Sequence, residues 1–483
     1  MPTQPLPPID RRAFLRGSTV VAAAAGIAAP FQALNARADD ERGPHDRGKG
    51  RSCGADYGPL GAVKDGTTGL PLLLLPAGFE YVTFGWTGDL LADGTPTPGA
   101  HDGMAAFQGR NGTVRLVRNH EISSSGGAFA PALAYDPTAG GGTTTLEFDA
   151  RRGRLIETFA SLAGTVTNCA GGPTPWGSWL TCEETTAQPG AGNALTLPHG
   201  YIYEVPAFGT PPRQPLKAMG RFSHEANATD PHTGIVYETE DAGFTSGFYR
   251  FLPAQRGSLA AGGTLQMLAI EGQPNYNTRL GQSQDEPLDV VWVTIDTPDP
   301  VLPAGPSVFA QGTAKGGAAF ARLEGAWYGR GRIYFTSTNG GDAGQGQVWE
   351  YEPSSETLRL VFESPSAEIL NSPDNITVSP RGGLVLCEDG SGAEFLHGLT
   401  VDGEIFEFAQ NNVVLAGQRN GITGDFRGSE FAGATYSPDG KWLFVNVQSP
   451  GITSRSPVPG ATAPSDPHGR GGPCRAPAAT RPP

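Results

Sequence analysis

The residues best placed to do chemistry in this chain are carboxylates that recur where apolar runs begin or end. Glu121 closes RNHE, Glu225 follows His224, Glu240 stands in YETED, Glu324 in RLEG, Asp374 in PDN, Glu388 in LCED and Glu430 in SEF. Taken singly, each could cap a turn. Brought together they would repel and raise one another's pKa. Multivalent cations are the direct remedy, and hard oxygen donors suit Ca²⁺. One soft donor stands among them. Cys182 in TCEETT directly precedes Glu183 and Glu184. A thiolate prefers a transition metal, and an unbound thiol beside carboxylates is readily oxidised. Cys182 is therefore read as a metal ligand. A Cys182–Cys387 disulfide is the rival, because Cys387 holds the matching place in LCEDG. Arg322 lies two residues before Glu324, so strand alternation turns both to one face. Its guanidinium could grip a phosphate bidentately or form an ion pair with Glu324. The sequence has no G-x-S-x-G elbow, and its histidines lack metalloprotease spacing.

Six segments must position these side chains. Each has a turn glycine, then a β-branched or apolar strand, then polar ligand-type atoms: 111–121, 175–184, 232–241, 331–341, 382–390 and 439–448. The glycines Gly112, Gly177, Gly234, Gly331, Gly383 and Gly440 are 52 to 65 residues apart except for one interval of 97. That interval implies an insertion between about Pro253 and Pro306. Upstream of each glycine stands a short polar cluster: His101-Asp102-Gly103, Asn168-Cys169-Ala170, His224-Glu225-Ala226, Leu323-Glu324-Gly325, Pro373-Asp374-Asn375 and Ser429-Glu430-Phe431. Gly and Pro interrupt every long helical window. The pattern predicts an all-β, six-bladed β-propeller with a central metal-binding channel, in which equivalent positions of successive blades face one another.

Composition agrees. With 69 Gly, 43 Pro and only 17% charged residues, the chain is no coiled coil, and its apolar runs argue against uniform disorder. A net charge of −14 argues against nucleic acid and favours cations. Arg11-Arg12 ahead of a small-residue apolar run, with Ala36-Arg37-Ala38 as cleavage site, reads as a twin-arginine leader over residues 1–38. The run is too short for a membrane span. This implies export to the periplasm or cell exterior by the twin-arginine machinery. Residues 39–52 read as a polar linker, 53–453 as the propeller and 454–483 as a disordered Pro/Gly-rich tail. Cys53 and Cys474, in the flanks, could clasp the two ends.

LPAGFEYVTFGWTGDLLADGTPTPGAHDGMAAF (75–107), RNHE, TPWGSWLTCEETT (174–186), FSHEANATDPHTGIVYETED (222–241), RLEGAWY, SPDNITVSP and EFAGATYSPDGKWLFVNVQSPG (430–451) together resemble the PhoX alkaline phosphatase family, in order, over most of residues 70–451. The resemblance implies a monomeric, exported phosphomonoesterase acting on small phosphate esters. Its site would hold Fe(3+) and Ca(2+) with a bridging oxo group. It also implies that the cysteine of the TCEE segment, here Cys182, binds iron. Glu225 and Glu324 would be metal carboxylates, Arg322 the phosphate-contacting arginine, and Glu121, Asp374 and Glu430 further acidic positions. Two departures stand out. The chain is shorter than the defining phosphatases, and no lysine lies between Glu121 and Cys182, where Arg151, Arg152 or Arg154 could substitute. A Ca²⁺-stabilised binding propeller and a Ca²⁺-dependent esterase or lactonase are the competing functions.

Overall fold

The computed structural model describes residues 57–458 apart from 124, 125, 191 and 402. The leader, the linker, Cys53 and Cys474 fall outside the described residues. Among these, the chain is almost wholly β: four 3₁₀ turns and one short helix, Val308–Thr313, are its helical elements. The helix starts at Ser307, whose Oγ accepts the Ala310 N–H at 3.1 Å.

Six strands line the middle of the molecule: β1 (His101–Gln108), β2 (Asn168–Pro173), β3 (His224–Thr229), β4 (Leu323–Gly329), β5 (Pro373–Val378) and β6 (Phe431–Tyr436). Each adjoins the next, and β6 returns to β1, so they form a closed ring. An antiparallel sheet runs outward from each. The β1 sheet has four strands and the β2 sheet three. The β3 and β4 sheets merge into nine strands at their outer edges, through Leu288↔Leu358 and Asp289↔Thr357. This join explains the long interval in the repeat: residues 263–270 complete the β3 sheet, and 288–294 bridge to its neighbour.

The β5 and β6 sheets recruit the beginning of the domain. Strands 60–63 and 73–76 extend the β5 sheet, while 82–84 pairs with 452–457 to complete the β6 sheet. Strand Ile452–Pro457 therefore crosses the expected boundary at 453. Its Ser/Pro-rich composition hides a strand that pairs with Trp442–Val447 on one side and, on the other, with residues more than three hundred positions earlier. Between sheets, alternate side chains pack into apolar layers. Leu180, Ile202, Met219, Phe222 and Tyr249 form one, Leu72, Leu396, Phe431 and Val445 another. Each large side chain so buried contributes roughly 1.5–3 kcal/mol.

Candidate metal centre

All six ring strands carry the same irregularity. Their pairing with the next strand shifts register after the first or second residue, at 101/104, 168/171, 224/227, 323/326, 373/376 and 432/435. A bulge re-aims the side chain it contains. In five strands the second residue is ligand-type: Asp102, Cys169, Glu225, Glu324 and Asp374; in β6 it is Ala432, and Glu430 just precedes the strand. In four of these five strands Gly or Ala follows, and at Gly325, as at Gly433 in β6, neighbouring strands are in near contact. A Cβ on Gly325 would lie 2.7 Å from the Asp374 carbonyl oxygen. On Gly433, at φ +60°, it would lie 2.5 Å from that of Asp102.

A second ring comes from the ends of the neighbouring strands: Glu121, Glu184, Asp241, Thr338, Asp389 and Gln448. Their backbone N–H groups donate to the carbonyls of Ala100, Thr167, Ser223, Arg322, Ser372 and Glu430 at 2.8–3.1 Å. Four of those acceptor residues hold a left-handed backbone: Ala100 (φ 47°), Thr167 (49°), Arg322 (43°) and Ser372 (55°). Non-glycine residues adopt this conformation only where the surroundings enforce it.

The two rings bring their ligand atoms together in four groups: Cys169/Glu184/Glu225, Glu225/Glu324/Asp374, Asp374/Asp389/Glu430 and Asp102/Glu121/Glu430, with atoms in each group within 4.8 Å of one another. Shared members chain the four into one centre. Burial first, then neighbouring carboxylates, pushes Asp102, Glu225, Glu324 and Glu430 well above the usual carboxylate range. The same causes raise Asp374 to about 7 and Glu184 to about 9. Burial, with Glu225 nearby, also raises the Cys169 thiol. Asp374 Oδ1 is buried without a hydrogen-bond partner. The donor set fits cations: hard oxygens throughout, one soft sulfur at one end, and an orphaned oxygen in the middle.

Arg322 borders the centre. Its Nη2 donates to Glu324 Oε1 at 2.6 Å and its Nε to Asp241 Oδ2 at 3.1 Å. Burial opposes its charge, but Glu324 and Asp241 hold its pKa above the ordinary arginine value.

The structure thus gathers five of the expected carboxylates, Glu121, Glu225, Glu324, Asp374 and Glu430, with Arg322 beside them. It does not gather three other expected ligands. Cys182 is fully buried in the apolar layer with Leu180 and Ile202, and Asn227 Nδ2 lies 3.4 Å from its sulfur. Cys387 is buried likewise beside Val385. Both are free thiols, which removes the expected rival disulfide. They occupy the position two residues before the second ring, which faces the next sheet. In other sheets Asn119, Thr239, Thr336 and Asn446 use that position to donate to the carbonyls of Cys169, Glu324, Asp374 and Asp102. Glu240 instead accepts from Tyr249 Oη and Gly247 N. Glu388 accepts from His397, Asn371 N and Phe395 N. Alternation permits only one of two consecutive acids to face the channel, and it is Asp241 and Asp389 that do. Cys169, Glu184, Asp102 and Asp389 join these groups without being among the expected ligands, and Asp241 enters through Arg322. Aligning the six polar clusters on their second residue would have found Cys169 and Asp102.

The sequence matches the family described as alkaline phosphatase PhoX over residues 55–451. A search of curated protein sequences found no match. Among solved structures, the fold is similar to Pseudomonas fluorescens PhoX in complex with vanadate, a transition state analogue. The TM-score is 0.59 at 17% identity, covering 84% of this chain and 99% of that one. A gluconolactonase from Xanthomonas campestris aligns at TM-score 0.40 and 12% identity, over 83% of this chain and 99% of that one. A match spanning most of the sequence decides the assignment: the chain belongs to the alkaline phosphatase PhoX family.

Proposed function

We propose that this phosphomonoesterase is a six-bladed propeller that works through an iron- and calcium-bearing centre, with Cys169 and not Cys182 as the iron ligand. One observation carries the reading: the Cys169 sulfur lies within 4.8 Å of ligand oxygens of Glu184 and Glu225, and Glu225 leads on to groups built from oxygen alone. In this reading the sulfur end takes ferric iron and the oxygen-only groups take Ca²⁺. Bound cations would supply Lewis-acid polarisation of the phosphoryl oxygens.

The chain's own residues do the rest. Arg322, held by Asp241 and Glu324 but still about one-third exposed at its side chain, offers Nη1 to a phosphoryl oxygen. It orients the ester and stabilises charge on the equatorial oxygens as the transition state forms. The left-handed backbone at Arg322 fixes where that fork points. Residues 1–38 would export the folded monomer through the twin-arginine machinery. No helix among the described residues is long and apolar enough to cross a membrane.

The test is elemental analysis alongside p-nitrophenyl phosphate hydrolysis, before and after chelation. Cys169→Ser should lose iron and activity while keeping the β-rich circular dichroism spectrum, and iron-loaded, fully active Cys169→Ser would refute the assignment. Arg322→Ala should lower turnover by roughly 10²–10³-fold, as for other lost transition-state donors, and weaken phosphate inhibition with metal content retained. An unchanged inhibition constant would remove Arg322 from the site.

A further inference from the structure

The residue preceding each second-ring acid is also fixed, and in two sheets by the same device. Glu183 precedes Glu184 and is fully buried. Its Oε1 lies 2.6 Å from His199 Nδ1 and accepts the Val166 N–H at 3.0 Å. Its Oε2 accepts the N–H groups of Gly200 and Tyr201 at 2.8 and 3.2 Å. His199, also buried, has its Nε2 3.5 Å from Asp136 Oδ2. Asp136 is anchored in turn by Thr138, Thr196 and Leu197. Burial opposes a charge on His199, but Glu183 and Asp136 hold its pKa above the ordinary value. In the β5 sheet, Glu388 precedes Asp389 and repeats the pattern: Oε1 lies 2.9 Å from His397 Nε2 and accepts the Asn371 N–H at 2.7 Å. Val166 and Asn371 each stand two residues before their ring strand.

From this repeated geometry we infer that Glu183–His199 and Glu388–His397 are positioning couples, each holding one end of the centre: the first sets Glu184 beside Cys169, the second sets Asp389 beside Asp374. Neither couple touches substrate. Each ties a second-ring acid to the start of its ring strand; the second also reaches the outer strand Phe395–Leu399, and the first the segment leading into Ile202–Pro206. The first reaches further, because Asp136 belongs to the loop before strand 141–149 of the preceding sheet. A partner behind a ligand characteristically tunes metal affinity by about 10–100-fold.

The inference rests on the proposed thiolate site, so the experiment separates the two. The full chain, stripped by chelation, is titrated with Co²⁺ and followed by the visible absorption of thiolate-bound cobalt, then with Ca²⁺ by calorimetry. No cobalt–thiolate band in the wild type would refute the thiolate site itself. Given that band, Glu183→Gln should weaken Co²⁺ binding at the sulfur by roughly 10–100-fold and leave Ca²⁺ binding near Asp389 intact. Glu388→Gln should do the reverse. Where Glu183→Gln fails to fold by circular dichroism, His199→Gln carries the test, because it leaves Glu183 its three backbone donors. An unchanged Co²⁺ Kd in the folded variant, or equal losses at both ends from either couple, would overturn the inference.

Discussion

The β2 and β5 sheets end their second strands with nearly the same tripeptide, Cys182-Glu183-Glu184 and Cys387-Glu388-Asp389. The three side chains have the same fates in both. The cysteine enters an apolar layer, the first acid turns to a histidine, and the second acid joins the centre. The sheets differ at the ring strand itself, where one presents Cys169 and the other Asp374. A common framework therefore presents two kinds of donor, and a single bulged residue per sheet decides which. In the proposed centre that residue would set the soft and hard ends, because its neighbours on both sides are carboxylates.

The sharpest way to break this comparison is to make the ends alike. Cys169→Asp should abolish iron binding and reduce phosphate-ester hydrolysis more than the roughly 10–100-fold typical of changes behind a ligand, while raising Ca²⁺ stoichiometry. Elemental analysis reads all of this, and retained iron would mean that the sulfur does not define the soft end.

A smaller, graded effect should appear with pH. Asp374 at about 7 and Glu184 at about 9 keep protons in the metal-free folded chain that the unfolded chain has released by about pH 5. The folded state then binds more protons, so the contribution of these two groups to stability is fully present below about pH 4 and is lost as pH climbs through these values. The melting temperature of the stripped protein should decline from pH 5 to 9 and recover on adding Ca²⁺. A metal-free melting temperature that rises with pH would contradict the clustering of these acids.

The smallest effect is expected at the two matching cysteines. Cys182→Ser and Cys387→Ser each bury a hydroxyl in an apolar layer, costing about 1–3 kcal/mol, with metal content unaltered. Chemical denaturation would check the equality. Loss of iron in Cys182→Ser alone would return that residue to the centre.

Much of this was legible in the residues. Turn glycines and polar clusters marked all six ring strands, and the spacing placed Glu225, Glu324 and Asp374 at equivalent positions. What failed was parity. TCEETT drew attention to Cys182 because acids follow it directly, whereas Cys169 in NCAGGP has no acid beside it. Choosing between consecutive acids, such as Glu240 and Asp241, needs the register at which a strand stops. That register is set by a hydrogen bond to the carbonyl just ahead of the ring strand, Ser223 for Asp241, which no local pattern displays. The extra strand 452–457 escaped notice because its Ser/Pro-rich residues lack the alternating apolar pattern; it pairs with Trp442–Val447 on one side and 82–84 on the other.

That pairing of 82–84 with 452–457 has a further consequence. The sheet carrying Glu430 gains its last strand only after nearly the whole domain has been synthesised. Residues from both ends of the described chain therefore finish this sheet, and truncating the earlier end would leave the outer edge of strand 452–457 unpaired.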